Sequence, residues 1–182
     1  MARFDLTALQ GSLTDHNSAG APQEQWNPPF CGNIDMVIQY DGSWHYQGTP
    51  IARQALVKLF ASVLKREGEQ YFLVTPVEKV GIQVVDSPFI ITQWQQQQHN
   101  LIFTTNFDDC FIVSDQNPVH LMSDKVTGQC LPYALVRHNL WARLHQNVFY
   151  QLAAIGSEQP LNGEPHVMIS SAGQQFSLGK SV

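Results

Sequence analysis

The chain has 182 residues, with 10 Lys and Arg against 15 Asp and Glu, and its formal net charge is −5 at pH 7. Apolar residues make up 43% and charged residues only 14%, which predicts a sizeable core that needs no metal or disulfide support. Ten dispersed cations are too few for the basic face that nucleic acid or an anionic membrane surface requires. We therefore expect neither of these partners.

The N-terminal sequence and the cysteines predict the compartment. Acidic Asp5 stands where a signal peptide would be apolar, and Cys31, Cys110 and Cys130 form no C-x-x-C pair. The apolar runs are far shorter than the roughly 20 residues that a membrane-spanning helix needs. We expect a cytoplasmic protein with free thiols and no transmembrane segment.

The first 29 residues predict an extended N-terminal arm. Leu6, Leu9 and Leu13 belong to a weakly amphipathic segment that predicts a short helix, and residues 14–22 after it are rich in helix breakers. Two prolines at positions 28 and 29 favour extended backbone. We place the start of the ordered domain at residue 30.

Residues 30–95 predict a first α+β unit. The alternating pattern of residues 34–40 predicts a strand, and Asp41-Gly42 predicts a hairpin to the next strand. Thr49 before Pro50 is typical of a helix start, so the apolar periodicity that follows predicts a helix ending near Gly68. Further strands are predicted at residues 71–75, 80–85 and 89–94.

Residues 96–182 predict a second α+β unit. Four successive glutamines, Gln95 to Gln98, predict a solvated loop at its start. A helix is predicted from about Asn139 to Ile155 and is closed by Gly156. Strands are predicted at residues 101–106, 110–114 and 131–136, with a final hairpin of residues 166–170 and 175–178.

The two predicted helices suggest an internal repeat. Residues 44–68 and 132–156 have equal length, and at this offset Leu56 falls on Leu144 and Leu64 falls on Leu152. Chance alignment of two amphipathic helices is the alternative. The pattern predicts an α+β fold of two tandem similar units, each with the order strand, strand, helix, strand, strand and an antiparallel sheet packed on one helix.

A set of short segments between about Trp26 and Gly156 carries a family resemblance. These segments are residues 31–36, 41–44, 48–53, 73–80, 132–133, 136–137 and 148–150. Together they resemble a bacterial family known as domain of unknown function 1285. The resemblance implies an α+β fold with two similar halves and, from that architecture, a signalling or regulatory role; it implies no substrate or reaction.

Four polar residues near strand ends are the candidate binding residues. Asp35 interrupts an apolar strand, so we expect a buried ion pair with Arg53 or Lys79, with a binding role as the alternative. Glu78 and Lys79 follow Pro76 at a tight connection, where a site is favoured by position and a solvated pair is the alternative.

No catalytic or metal-binding constellation is predicted. The sequence has no P-loop, no G-x-G-x-x-G, no G-x-S-x-G and no H-E-x-x-H. His138 and His145 are expected on one helix face, but two turns apart they are too distant to chelate one ion. We predict no catalytic residues, no metal and no cofactor.

The function expected from these patterns is a non-enzymatic regulatory or signalling module. It would bind a protein partner or a small ligand between its two halves, through Asp35, Arg53, Glu78 and Lys79. The alternative is a small-molecule hydrolase that uses the same carboxylates as acid and base. A homo-oligomer formed through an uncovered edge strand is a further possibility.

Overall fold

Two six-stranded sheets with the same strand arrangement form most of the computed structural model, which describes residues 5–17 and 25–182. Each sheet joins two three-stranded antiparallel meanders. The first strand of the first meander pairs in parallel with the last strand of the second. The α+β class with two similar tandem units is confirmed, and the central parallel pair of each sheet corrects our expectation of wholly antiparallel sheets.

The first unit contains the described residues up to Gln39 together with Ser43–Val84. Its sheet has the order β3-β2-β1-β6-β5-β4. Its elements are α1 (Leu6–Asn17), β1 (Phe30–Ile38), β2 (Trp44–Tyr46), β3 (Thr49–Pro50), α2 (Gln54–Ser62), β4 (Leu64–Glu67), β5 (Gln70–Val74) and β6 (Lys79–Val84).

Helix α1 lies where the sequence predicts a short helix and continues to Asn17, into the predicted breaker segment. Leu9 and Leu13 are buried, and α1 contacts α2. The rest of the breaker segment, from residue 18, lies outside the described residues. The arm over residues 1–29 stays a prediction. The domain boundary after residue 95 also stays a prediction, and residue 95 lies within β7 (Phe89–Gln97), a strand of the second sheet.

Helix α2 is shorter than its leucine pattern predicts. Thr49 and Pro50 form the edge strand β3 instead of capping the helix, and Arg53 is the N-cap residue without a side-chain capping bond. Leu64 begins β4 and is directly opposite Leu73 of β5. A short run of apolar residues is compatible with a helix and with a strand. The pairing of Leu64 with Leu73 shows that the end of this run is a strand.

The second unit contains Tyr40–Gly42 and Val85–Val182. Its six-stranded sheet has the order β10-β11-β12-β7-β8-β9, and β13, β14 and β15 form a separate antiparallel sheet. Its elements are β7 (Phe89–Gln97), β8 (Asn100–Thr105), β9 (Cys110–Ile112), β10 (Val119–Ser123), β11 (Cys130–Arg137), β12 (Leu140–Leu144), α3 (Gln146–Ile155), β13 (Ser157–Leu161), β14 (Glu164–Ser171) and β15 (Gln174–Lys180).

Two segments of the second unit differ from their sequence predictions. Three of the four glutamines lie in β7 and pair with β8, so only Gln98 enters the turn. Residues 140–144 form β12 and not the first turns of α3, because this apolar run pairs with both β11 and β7. Strands β10 and β13 were not predicted.

The internal repeat is present in the strands and not in the helices. Helix α2 separates the two meanders of the first unit, whereas α3 follows both meanders of the second. The predicted match of Leu56 with Leu144 is therefore wrong, since Leu56 lies in α2 and Leu144 lies in β12.

Each unit has its own apolar core. In the first, Trp44 is stacked on Phe60 with ring centroids 6.3 Å apart, and both side chains are fully buried. In the second, Phe89 and Phe107 meet edge to face with centroids 5.9 Å apart. Burying an aromatic side chain of this kind stabilises its unit by about 3 kcal/mol.

Candidate functional site

Asp35 and Arg53 do not form the buried ion pair that the sequence predicts. Asp35 lies in β1 on the face opposite Met36 and Ile38, and its side chain is exposed. Arg53 precedes α2 and is exposed as well. The strand alternation that buries the two apolar residues sends Asp35 to solvent, so no ion pair compensates it in a core. The binding role of both residues stays a prediction.

Glu78 lies at the tight connection before β6, and Lys79 is the first residue of that strand. The hydroxyl of Thr75 accepts the backbone N–H of Glu78 at 3.1 Å, which closes the turn. The ammonium of Lys79 is 2.7 Å from a carboxylate oxygen of Glu67 and 4.3 Å from the ring centroid of Phe72. Lys79 is thus engaged across the sheet by Glu67, and its structural role is to tie β4, β5 and β6 together.

A cavity of about 330 Å³ lies over β1, β5 and β6 in the first unit. Asn33, Tyr71 and Gln83 are among the residues that line it. None of the four residues predicted as a site contributes to its wall. The predicted residues are therefore not gathered around this concavity.

A larger cavity of about 650 Å³ lies in the second unit and is the candidate site. It falls within the usual range of roughly 300–1,000 Å³ for small-molecule sites. Strands β11 and β12 and the start of α3 form its walls. We call it the Arg143 cavity, after the only Lys or Arg that lines it among the described residues; its other polar lining residues include Tyr40, Gln129, His145, Gln146 and Tyr150.

Arg143 is held rigidly at the wall of this cavity. Its Nη1 donates to Oδ2 of Asp86 at 2.7 Å, and the two side chains are 10% and 2% exposed. Its Nη2 donates to the backbone carbonyl of Tyr40 at 2.6 Å, and the guanidinium lies 3.7 Å from the centroid of the Tyr40 ring. The fixed planar fork presents its remaining N–H groups in one orientation.

Asp86 is the anchor of this arrangement. Besides Arg143, the phenol of Tyr133 donates to both carboxylate oxygens, at 3.0 and 2.8 Å, and the backbone N–H of Lys125 donates to Oδ1 at 3.0 Å. Burial and the hydrogen bond to Asp86 raise the pKa of Tyr133 far above its usual value. The phenol therefore keeps its proton, and the buried carboxylate has the donors that a buried charge requires.

A second buried carboxylate, Asp124, fixes the loop beside the cavity. Its Oδ1 accepts the backbone N–H groups of Val126 at 2.8 Å and Thr127 at 2.7 Å, and its Oδ2 accepts the phenol of Tyr40 at 2.5 Å. Burial alone would raise the pKa of Asp124, but these hydrogen bonds outweigh it and hold that pKa below its usual value. Burial and the bond to Asp124 raise the pKa of Tyr40.

The N-terminus of α3 forms one end of the cavity. His145 is the N-cap residue, and its Nδ1 accepts the backbone N–H of Asn147 at 3.2 Å. His138 lies in the turn before β12 with a φ of 50°, so the two histidines do not share a helix face as the sequence predicts. A helix N-terminus carries a partial positive charge, which favours an acceptor or an anion in its vicinity.

Sequence reasoning missed the residues of this site. Asp86 and Arg143 are 57 positions apart, and Tyr40 is 103 positions from Arg143, so no local motif connects them. The available signal was a single charge inside an apolar segment. Arg143 stands between Ala142 and Leu144, and such a charge in a buried strand needs a partner elsewhere in the fold.

Residues 5–17 and 25–182 have three further features, which concern metal ligands, membrane spans and thiols. No group of three or more His, Cys, Asp or Glu side chains is placed to hold a metal ion. Among the helices the structure describes, none has the length and apolarity to cross a membrane. All three cysteines are free and exposed.

Two family models cover nearly the whole fold. The model described as the N-terminal domain of DUF1285, a domain of unknown function, matches residues 21–87. The model of the DUF1285 C-terminal domain, from a protein of unknown function, matches residues 88–178. The chain belongs to the DUF1285 family. The family resemblance found in the sequence is confirmed, and the two models meet close to the division between the two units.

Solved structures of DUF1285 family proteins support the same assignment. One from Silicibacter pomeroyi DSS-3 is 41% identical, with a TM-score of 0.77, and the match covers 92% of this chain and 94% of that one. One from Shewanella baltica OS155 is 31% identical, with a TM-score of 0.56, over 66% of this chain and 91% of that one. No curated protein matches the chain significantly.

Proposed function

We propose that this DUF1285 chain is a non-enzymatic binding module with a regulatory role, and that the Arg143 cavity is its ligand site. The observation that carries the proposal is a single cation, nine-tenths buried, fixed at the wall of a cavity of about 650 Å³. A buried ion pair contributes little to stability compared with apolar packing. Its position at a cavity wall favours a role in ligand recognition.

Preorganisation supports binding. Arg143 is held by Asp86, by the Tyr40 carbonyl and by the Tyr40 ring, so a ligand would not have to order it. Ordering a mobile side chain on binding costs about 0.5–1.5 kcal/mol of free energy. An arginine that is already immobile avoids most of this cost when it binds a ligand.

The pKa shifts of Tyr40, Tyr133 and Asp124 argue against these three groups as acid–base catalysts. A general acid or base works best with a pKa near the working pH. Here the pKa values of Tyr133 and Tyr40 are raised and that of Asp124 is lowered, so these groups keep fixed protonation states near neutrality. This is the reason we prefer a binding module to the hydrolase expected as the alternative.

Binding at Asp35, Arg53, Glu78 and Lys79 is the alternative site. These residues belong to the first unit, and Asp35 and Arg53 are exposed. The alternative binding partner is another protein or a second copy of the chain. Light scattering measures the molar mass and so detects a homo-oligomer. A cytoplasmic location remains part of the proposal.

The proposal is tested by a thermal-shift screen of metabolites against three proteins. A ligand at 100 times its dissociation constant stabilises by about 2.7 kcal/mol, which raises Tm by roughly 5–10 °C in a chain of this size. The first variant, Leu131→Trp, fills the Arg143 cavity from its half-buried wall without removing a bond of Arg143. The second variant, Arg53→Ala, alters the alternative site.

The expected result is a compound that stabilises the wild type and Arg53→Ala but not Leu131→Trp. A ligand whose shift survives Leu131→Trp and disappears in Arg53→Ala would place the site in the first unit and overturn the proposal. Turnover of a stabilising compound by the wild type would favour the hydrolase instead.

A further inference from the structure

We propose that the ligand of the Arg143 cavity is a monocarboxylic acid with an apolar body, whose carboxylate is bound by Arg143. This inference rests on the proposed function and specifies its ligand. It follows from the donors of Arg143, from the charges around them and from the apolar part of the wall.

Arg143 has hydrogen-bond donors to spare. A guanidinium carries five N–H donors. In the described part of the chain one donor of Nη1 is used by Asp86 and one of Nη2 by the Tyr40 carbonyl. Within this described part, three of the five N–H donors are therefore left for a ligand, and a carboxylate is the acceptor that matches a guanidinium best.

The charges near the cavity disfavour more than one negative charge on the ligand. Arg143 is the only Lys or Arg in the described wall, and Asp86 already neutralises it. Asp41 lines the same cavity, and Asp124 is buried close by, bonded to Tyr40. A phosphate monoester carries about two negative charges and is usually met by several cations, so it is disfavoured here.

A cationic head group finds no acceptor on the Arg143 guanidinium and is disfavoured near the start of α3. The helix begins at Gln146, which lines the cavity, and its N-terminus contributes roughly half a positive charge. A carboxylate can accept the remaining N–H groups of Arg143 and is favoured near the N-terminus of α3, whereas an ammonium group has no lone pair with which to accept these donors.

The apolar wall selects the rest of the ligand. Ile90, Leu131, Pro132 and Phe149 line the cavity together with Leu144. A cavity of about 650 Å³ is much larger than a carboxylate group needs. The body of the ligand is therefore an alkyl chain or an aromatic ring, which gains from burial against this wall at about 25 cal/mol per Å².

The test compares three probes of one shape: phenylbutyrate, phenylbutyramide and phenylbutylamine. They carry a negative, a neutral and a positive head group on the same body. Binding is followed in two-dimensional amide NMR spectra of the full chain, with inorganic phosphate as the control for a bare anion. We expect phenylbutyrate to bind about tenfold more tightly than the amide, and the amine and phosphate to bind more weakly still.

A charge variant that leaves the fold intact makes the test specific. Gln146→Glu adds a negative charge to an exposed lining residue and is favourable for α3 at its first position. We expect it to weaken phenylbutyrate about two- to fivefold and to leave the amide unchanged. Gln116→Glu makes the same change at an exposed residue outside the cavity and should alter neither affinity.

Failure of this inference differs from failure of the proposed function. Equal or tighter binding of the amide or amine in the cavity would overturn the carboxylate assignment and leave the cavity as the ligand site. The same holds if none of the probes binds while the metabolite screen yields a ligand without a carboxylate that Leu131→Trp excludes. Binding of phenylbutyrate that only shifts resonances of the first unit would overturn both.

Discussion

Replacing Arg143 by methionine should destabilise the second unit strongly. The substitution keeps much of the side-chain volume but leaves the Asp86 carboxylate, which is 2% exposed, without its cation. Breaking a buried ion pair on one side costs about 3–5 kcal/mol, a large part of a typical total stability of about 5–15 kcal/mol. The Tyr40 ring also loses the guanidinium stacked on it.

A matched variant separates burial from the loss of an ion pair as such. Arg137 pairs with Asp109 at 3.3 Å, but these side chains are 29% and 41% exposed. Arg137→Met should therefore cost only about 1 kcal/mol, as is usual for partly exposed pairs. Urea unfolding followed by circular dichroism at neutral pH gives both free energies from the transition midpoints.

The double variant Asp86→Asn with Arg143→Met tests the reasoning further. The amide oxygen of Asn, in the place of the Asp86 Oδ1, still accepts hydrogen bonds from the Tyr133 phenol and the Lys125 backbone N–H, and no charge remains unpaired. The double variant should therefore lose at least about 1.5 kcal/mol less unfolding free energy than the sum of the losses of the two single variants. A cost of Arg143→Met no larger than that of Arg137→Met, or strict additivity, would refute the account of the buried pair.

Three further predictions concern the same structure. The pKa of Tyr133 is raised in the folded state, so above pH about 10 a tyrosine ionises in the unfolded chain before it ionises in the fold, and stability falls. Tyr133→Phe should therefore reduce the loss of stability above pH about 10. Identical alkaline unfolding curves of the two proteins would contradict this. Ser171→Ala should cost about 2 kcal/mol in urea unfolding, since this buried hydroxyl accepts Leu101 N–H at 2.8 Å and donates to the Val113 carbonyl at 2.7 Å, whereas exposed Ser170→Ala should be neutral. Gly42→Ala should lower Tm more than a positive φ alone explains, because its Cβ would lie 3.0 Å from two side-chain atoms; an equal effect of Gly48→Ala, which meets nothing within 4 Å, would contradict the crowding.

Local patterns predicted much of the fold. The Asp41-Gly42 turn joins β1 to β2, and the final hairpin turns at Ala172-Gly173, because Gly42 and Gly173 adopt the positive φ that these tight turns need. Residues 140–144 were assigned to a helix, since an apolar run alone does not distinguish a helix from a strand with neighbours on both sides.

The site could not be predicted in the same way. Asp35 was chosen as a charge in an apolar strand, which is the same signal that Arg143 gives in β12. Only the tertiary fold shows that Asp35 faces solvent while Arg143 meets Asp86 and Tyr40 from distant parts of the sequence. Polar contacts of this kind depend on sheet order and on the loop that carries Tyr40, and neither has a local signature.

The most direct test of the central claim is where a bound carboxylate probe touches the protein. Intermolecular NMR contacts between the ring protons of phenylbutyrate and protein side chains measure this without relying on affinity. Our account predicts contacts to Leu131 and Phe149, with the carboxylate end nearest Arg143. Contacts confined to the first unit, such as those near Arg53 or Glu78, would contradict the assignment of the Arg143 cavity as the ligand site.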